Sequence, residues 1–177
     1  MNETLLNGAA AGLVTGPDDG RKYRDVMSLF PSAVVAITGS RAGVASGLTV
    51  GSFFSASLEP RLVGFCVARR SATWAFLRST GRFCVNLLAA DQRMVSESLA
   101  RSGTQEKLLG VEWEHSRHGL PLITGAMAWI VCDIAHEYGA GDHSVVIGSV
   151  QDMVVSTEER PLIFFRRAYH STAASAV

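Results

Sequence analysis

The sequence predicts a mainly β protein, in which strands close into a β-barrel and short helices lie at the periphery. Short apolar runs that are rich in β-branched or aromatic residues, and bounded by Gly, Pro or charge, are typical of strands. They lie at residues 34–38, 62–68, 83–88, 126–135, 144–155 and 162–166. Helical patterns are brief, at residues 73–79 and 93–101. Closure is favoured because it removes exposed strand edges, and the regular strand–helix alternation of a parallel sheet is absent.

The N-terminal region differs from the rest of the chain. Residues 1–18 are rich in Ala, Gly, Asn and Thr, and we expect them to form a mobile tail. Residues 19–177 then form one domain, an ordinary length for a single core. Asp19 is expected to cap a short helix that Pro31 ends. Its apolar side chains share one face: Tyr23, Val26, Met27 and Phe30.

Composition and charge exclude several classes of partner. Sixteen acidic side chains balance sixteen basic ones, so we expect neither nucleic acid nor a membrane surface as a partner. No segment approaches the roughly 20 apolar residues that cross a bilayer. The first basic residue is Arg21, so the start of the sequence lacks the positive flank of a secretion signal. The widely spaced Cys66, Cys84 and Cys132 indicate buried thiols in a reducing compartment, and we expect a cytoplasmic protein.

Residues 45–58 carry the strongest functional signal in the sequence. Small polar or flexible residues recur between apolar ones: Ser46, Gly47, Thr49, Gly51, Ser52, Ser55 and Ser57. Such a segment suits a backbone that passes close to a polar ligand, because Gly lacks a Cβ and Ser and Thr supply short hydrogen-bonding groups. An ordinary surface strand decorated with hydroxyls is the alternative.

Residues 69–74, Arg-Arg-Ser-Ala-Thr-Trp, combine two guanidinium groups, two hydroxyls and a predicted helix start. Backbone N–H groups at a helix start, with nearby hydroxyls and Arg, suit a phosphate group. The alternative is that Ser71 only caps the helix while the arginines face water. Both interpretations stay open at this point.

Asp142 and His143 form a second polar pair, at the start of a predicted strand. Gly139 and Gly141 permit a sharp turn before it, and a histidine there can orient a ligand or assist proton movement near neutral pH. A histidine that only stabilises the turn is the alternative. With His136 the pair also resembles a two-histidine, one-carboxylate metal site, but the spacing is not diagnostic and we expect no metal.

Nucleotide-binding and metalloprotease motifs are absent from the sequence. It contains neither G-x-x-x-x-G-K-[ST] nor H-E-x-x-H. Residues 139–144, Gly-Ala-Gly-Asp-His-Ser, lack the third glycine of a dinucleotide fingerprint and precede a predicted strand. They predict a tight turn between strands. Any nucleotide cofactor therefore binds without a Rossmann half.

Taken in order, several short segments resemble the short-chain flavin reductase family. The landmarks cover most of the chain from about Tyr23 to His170 and lie at residues 30–35, 47–49, 52–53, 55–60, 70–73, 83–88, 119–122 and 141–143. Each is weak alone, whereas the whole series in this order is specific. The resemblance implies an FMN-binding split β-barrel. The chain departs from the usual pattern at Gly51, Phe54 and Arg61, where serine, threonine and proline are common.

The resemblance also implies a set of flavin-binding residues. Two segments would line the isoalloxazine ring and the ribityl chain: Ser32, Ala33, Val34, Thr49, Val50, Ser52, Ser55, Ser57 and Leu58. Asn86 and Leu87 would lie beside the ring system. Ser71 and Thr73 would hold the flavin phosphate.

The resemblance implies an activity as well. His143, as the catalytic residue, and Tyr169 would lie where the nicotinamide of NADH or NADPH enters. Such proteins are homodimers that reduce FMN or FAD and pass the reduced flavin to a separate flavin-dependent monooxygenase. We therefore expect an NAD(P)H:flavin oxidoreductase, the reductase component of a two-component monooxygenase. A non-catalytic flavin-binding protein, acting as a sensor or a store, is the alternative.

Overall fold

The structure is a computed structural model, which describes residues 20–101, 107–156 and 160–172. The predicted tail, residues 1–18, and the predicted cap at Asp19 lie outside the described residues. The helices are α1 (Arg21–Met27), α2 (Ala72–Arg78) and α3 (Arg93–Ala100). The strands are β1 (Ser32–Ala33), β2 (Val35–Arg41), β3 (Val44–Val50), β4 (Phe54–Ser57), β5 (Leu62–Ala68), β6 (Arg82–Leu87), β7 (Trp113–His115), β8 (Pro121–Ile123), β9 (Ala128–Ala140), β10 (His143–Val155), β11 (Leu162–Phe165) and β12 (Ala168–Ser171).

One antiparallel sheet of seven strands dominates the molecule, in the order β3-β2-β6-β9-β10-β5-β4. The sheet curves until β3 and β5 contribute to the same core, in which Leu48 and Val50 join Val63 and Phe65. Within the described ranges, β3 and β4 remain the unpaired ends of this order. The predicted mainly β barrel with short helices is confirmed, and the barrel is split at this point rather than closed by hydrogen bonds.

Strand β2 explains how the chain builds two cores. Val35 and Ile37 point into the barrel core, where Phe65, Trp74 and Phe83 make edge-to-face ring contacts. Ala36, on the opposite face, joins a second core with Leu88, Leu99 and Ile123. Because both faces are covered, the strand is a continuous apolar run rather than an alternating one.

The hairpin of β9 and β10 supplies the longest pairing in the sheet. Two residues, Gly141 and Asp142, connect Ala140 to His143, and Gly141 has φ 63°. This left-handed conformation is the one that a tight hairpin requires and that glycine adopts without strain. The turn predicted within residues 139–144 is therefore confirmed. It is shorter than that segment, because β9 and β10 include all but Gly141 and Asp142.

The remaining elements cover the barrel. β1, β11 and β12 form a three-stranded sheet, and β7 pairs with β8. α1 is seven residues long and buries none of its side chains. Among the described residues, no helix is both long enough and apolar enough to cross a membrane.

Candidate active site

A cavity of about 880 Å³ opens at the split of the barrel. Four segments form its walls: residues 48–52 at and just beyond the end of β3, residues 66–68 at the end of β5, residues 70–73 at the start of α2, and residues 99–101 at the end of α3. Lys107 and His143 complete the lining. A volume of this size is ordinary for a site that holds a cofactor or a small ligand.

A smaller cavity of about 170 Å³ adjoins the main one. Thr49, Val50, Gly51 and Ala100 line both cavities. The remaining lining residues of the smaller cavity come chiefly from β1, α3 and the β11–β12 pair: Ser32, Val34, Ser96, Phe164 and Tyr169. The main cavity therefore continues along β3 toward the three-stranded sheet.

The structure brings most of the predicted ligand-binding residues together at these two cavities. Thr49, Val50, Ser52, Ser71, Thr73 and His143 line the main one, and Ser32, Val34, Thr49, Val50 and Tyr169 line the smaller one. Six others line neither, of which Asn86 is described next. Ala33, Ser55 and Leu58 are exposed, Ser57 is partly exposed, and Leu87 packs against the barrel core.

Asn86 is fully buried and lines neither cavity. Its Nδ2 donates to the carbonyl of Ala36 at 3.2 Å and to Oγ1 of Thr38 at 2.9 Å, and its Oδ1 accepts from the N–H of Ile123 at 2.7 Å. These bonds tie β6 to β2 and β8, so in this structure Asn86 has a structural role. The contact of Asn86 and Leu87 with a flavin stays a prediction.

Two of the hydroxyls in residues 45–58 hold the cavity walls in place. Oγ of Ser52 donates to the carbonyl of Cys66 at 3.1 Å and accepts from its N–H at 2.9 Å, which ties the two sides of the split together. Oγ1 of Thr49 donates to the carbonyl of Ser96 at 3.1 Å and so fixes α3 against β3. A serine hydroxyl has one proton to give, so Ser52 can offer a ligand only an acceptor.

Ser71 has the capping role that the sequence left open. Its Oγ accepts from the N–H of Trp74 at 3.1 Å, at the start of α2. The hydroxyl proton is not used in that bond, so Ser71 can cap the helix and still donate to an anion in the cavity. Thr73, the second residue of the helix, is buried and lines the same cavity.

His143 stands at the rim of the main cavity, where the hairpin turn ends. Its Nδ1 lies 2.8 Å from Oδ1 of Asp142. The hydrogen bond and the charge of His143, with a smaller contribution from Arg70, lower the pKa of Asp142 below its ordinary value. An ionised carboxylate only accepts, so Nδ1 carries a proton and Nε2 is the nitrogen left for a ligand.

The charges around the main cavity have one sign. Arg70, Arg101 and Lys107 line it, and none of its described lining residues is acidic. Sequence reasoning missed Lys107, because a lone lysine in a polar loop carries no local signal of its burial. A cationic lining with hydroxyls suits a molecule that joins an apolar ring to a phosphate.

The remaining candidate groups do not form a metal centre. Among the described residues, no group of three or more His, Cys, Asp or Glu side chains is placed to hold a metal ion. His136 is exposed and stacks on Tyr138. Cys84 and Cys132 are buried free thiols, and burial raises the pKa of each to about 12, whereas Cys66 is half-buried in the cavity wall.

A split β-barrel with a phosphate-compatible cavity at its opening defines a class of flavin-binding proteins. The chain belongs to the flavin reductase like domain family, which matches residues 27–173. Family members reduce flavins, and this confirms the predicted family and the predicted oxidoreductase class.

Relatives and solved structures agree with this assignment. The chain is 40% identical over 166 residues to a flavin reductase from Pseudomonas putida, covering 93% of this chain and 97% of that protein. It is 38% identical over 171 residues to the reductase subunit HsaB of a flavin-dependent monooxygenase from Rhodococcus jostii, covering 96% and 85%. An NADH:FAD oxidoreductase from Streptomyces globisporus, solved with NAD and FAD fragments, superposes with a TM-score of 0.86 at 28% identity, covering 93% and 99%.

Proposed function

We propose that this protein is an NAD(P)H-dependent flavin reductase that transfers a hydride from the nicotinamide to FMN or FAD. The observation that carries the proposal is the continuous pair of cavities at the split of the barrel. Hydroxyl groups and cations line them, and none of the described lining residues carries a carboxylate. A bound flavin supplies the hydride acceptor, so the protein needs no strong acid or base of its own. Its residues have to bind, orient and shield the two reactants.

The phosphate of the flavin is proposed to lie at the α2 side of the main cavity. Ser71 and Thr73 face that side with hydroxyls, and Arg70 adds a positive charge at its exposed edge. Charge-assisted hydrogen bonds of this kind are the stronger ones in proteins. The ring system then extends along β3, past Gly51, toward Ser32, Val34 and the smaller cavity.

His143 is proposed to position the nicotinamide. Asp142 fixes the imidazole through Nδ1, and this leaves Nε2 for the carboxamide or a phosphate of NAD(P)H at the cavity rim. Tyr169 lies at the far side of the smaller cavity, where its hydroxyl is 3.0 Å from Oγ of Ser96. We propose that it borders the place where the two rings meet.

The reduced flavin is proposed to pass to a separate monooxygenase. The support is that relatives covering most of this chain are named as reductase subunits of flavin-dependent monooxygenases.

A homodimer is also proposed. It is supported by the apolar side chains that α1 and the turn after it leave exposed: Tyr23, Val26, Met27, Leu29 and Phe30. We further infer a single domain over residues 19–177 and a cytoplasmic location, which agrees with the two buried free thiols.

A spectrophotometric assay tests the proposed activity. NADH or NADPH is mixed with purified protein, and absorbance at the reduced nicotinamide band is followed with and without added FMN, FAD or riboflavin. We expect oxidation that depends on flavin. Protein that binds flavin but leaves both nicotinamides unoxidised would instead be a flavin-binding module without turnover, and that result would refute the proposed activity.

A further inference from the structure

Lys107 is a buried cation in the wall of the main cavity. Its side chain is only 7% exposed, and its Nζ donates to the carbonyl of Leu99, at the end of α3, at 3.2 Å. By contrast, Arg70 and Arg101, the two other fully charged groups of the lining, are exposed. Lys107 is thus the one lining cation, among the described residues, that has been largely removed from water.

Among the described residues, no carboxylate neutralises this charge. An ammonium group has three donors, and within the described chain Lys107 makes one hydrogen bond and no ion pair with a carboxylate. Burial lowers its pKa, and no anion of the described residues opposes that effect. Since burying a charge is costly unless it is paired, a cavity-lining lysine of this kind suits an anionic ligand.

The position of Lys107 indicates which part of a flavin it meets. Leu99, whose carbonyl it contacts, packs on β3 near Gly47, where a Cβ would lie 3.3 Å from Cδ2 of Leu99. Lys107 and Leu99 line the main cavity and not the smaller one, as Ser71 and Thr73 do. Ser32 and Tyr169, by contrast, line only the smaller cavity.

We propose that Lys107 binds the phosphate attached to the ribityl chain of the flavin, in the cavity that Ser71 and Thr73 also line. This inference rests on the proposed function. Lys107 supplies the phosphate with a buried positive charge, which the hydroxyls of Ser71 and Thr73 do not provide. The phosphate is common to FMN and FAD and is missing from riboflavin. Lys107 thereby favours phosphorylated flavins over riboflavin.

Matched lysine variants test the proposal, because Lys22 and Lys107 are the only lysines in the sequence. Dissociation constants for FMN and riboflavin are measured by flavin fluorescence with wild-type protein, Lys107→Gln and Lys22→Gln. We expect Lys107→Gln to weaken FMN binding about 10- to 100-fold and to change riboflavin binding less than about 2-fold. Lys22→Gln, on the exposed face of α1, should leave both constants unchanged. An unaltered FMN-to-riboflavin ratio in Lys107→Gln would overturn the assignment.

A second measurement uses the wild-type protein and does not depend on how the variant folds. With 13C-labelled lysine, the Cε resonances of Lys22 and Lys107 report the pKa of each ammonium group. A phosphate beside Nζ favours the charged form, so FMN should raise the pKa of Lys107 and riboflavin should not. A Lys107 pKa that FMN leaves unchanged would contradict the proposal, while wild-type protein that binds no flavin at all would refute the proposed function itself.

Discussion

Phe54 and Gly64 face each other across the β4–β5 pair, and the ring of Phe54 occupies the space that a side chain at residue 64 would fill. A Cβ built on Gly64 lies 2.3 Å from Cζ of Phe54 and 2.7 Å from its Cε2. Phe54 is one of the positions at which the sequence departs from the pattern of the flavin reductase family. The glycine opposite it explains how the larger side chain is accommodated beside the split of the barrel.

The first prediction concerns this pair. Gly64→Ala forces the Phe54 ring away from the strand and should destabilise the protein by about 1–3 kcal/mol, as overpacking does. In a Phe54→Thr background the same change should cost much less, because the ring is gone. Chemical denaturation of the two single variants and the double variant gives the interaction energy. Strictly additive effects would show that Phe54 does not constrain residue 64.

The strands were predictable wherever burial imposes an apolar pattern. Residues 34–38 and 62–68 are buried on both faces or nearly so, and β2 and β5 appear there. The last residues of β9, residues 136–140, are mostly exposed, so burial imposes no apolar pattern that would extend the predicted strand so far. The very short β7 and β8 depend on pairing with each other, which the sequence does not reveal.

The position of the candidate site was predictable from the sequence, whereas the hydrogen bonds of its residues were not. Residues 49–52 and 71–73 do line one cavity, as their small and hydroxylated side chains suggested. However, the hydroxyls of Thr49 and Ser52 bond to the backbone of α3 and β5, because three-dimensional neighbours compete with a ligand for the same donors. The lining role of Lys107 follows from its position against Leu99, which only the folded chain brings about.

Ser71 and Thr73 carry the second prediction. The double variant Ser71→Ala, Thr73→Ala should bind FMN more weakly while its riboflavin affinity changes little. Two hydroxyl hydrogen bonds to a charged phosphate together account for about 3–6 kcal/mol. Titration calorimetry with both flavins measures the difference, and equal losses for FMN and riboflavin would place the phosphate elsewhere.

The opposite end of the same helix supplies a control for this experiment. Ser79 and Thr80 hydrogen-bond to backbone carbonyls there, and neither lines the cavity. Ser79→Ala with Thr80→Ala should therefore lower stability without changing FMN affinity. Thr73→Ala alone separates phosphate binding from capping, because the Oγ of Ser71 still accepts from Trp74 in that variant.

The third prediction is that activity does not depend on a divalent metal ion. The described residues offer no cluster of three metal-ligating side chains, and hydride transfer to a flavin requires no metal-bound water. Protein dialysed against a chelator should oxidise NADH with flavin at an unchanged rate. Loss of activity that a divalent ion restores would contradict this, and the restoring ion would identify the site.

The fourth prediction concerns the exposed apolar side chains of α1 and the turn after it. We expect a homodimer, and replacing Val26 and Phe30 by Asp should shift the protein to monomers, because like charges then face an interface that buries apolar surface. Light scattering at micromolar concentration measures the change. Lys22→Gln on the same helix is the control and should remain dimeric. Wild-type protein that is monomeric and fully active would refute the proposed dimer.

The pair formed by Asp142 and His143 has a spectroscopic signature of its own. His143 lowers the pKa of Asp142, so the carboxylate stays ionised as the pH falls below the ordinary Asp range. Any stability that this pair contributes is present above the unfolded-state pKa and is lost as the pH falls through the lower, folded-state value. In His143→Ala the pKa of Asp142 should rise, which a carbon NMR titration of the carboxyl group detects. An unchanged pKa would show that the two side chains do not interact in solution.

The fifth prediction is that His143 acts on the nicotinamide and not on the flavin. Nδ1 is held by Asp142, and the ring stands at the rim of the cavity, whereas the proposed flavin contacts lie deeper, along β3 and α2. Hydride transfer moves no proton to the protein, so His143 has only to orient NADH. Losing one hydrogen bond of about 1–3 kcal/mol in His143→Ala corresponds to a fall of roughly 5- to 150-fold in kcat/KM for NADH, with flavin affinity nearly unchanged. His136→Ala, outside the cavity, should keep wild-type kinetics. If His143→Ala kept its NADH kinetics and lost flavin affinity, His143 would belong to the flavin pocket, and the nicotinamide would have to be positioned by other residues of the rim.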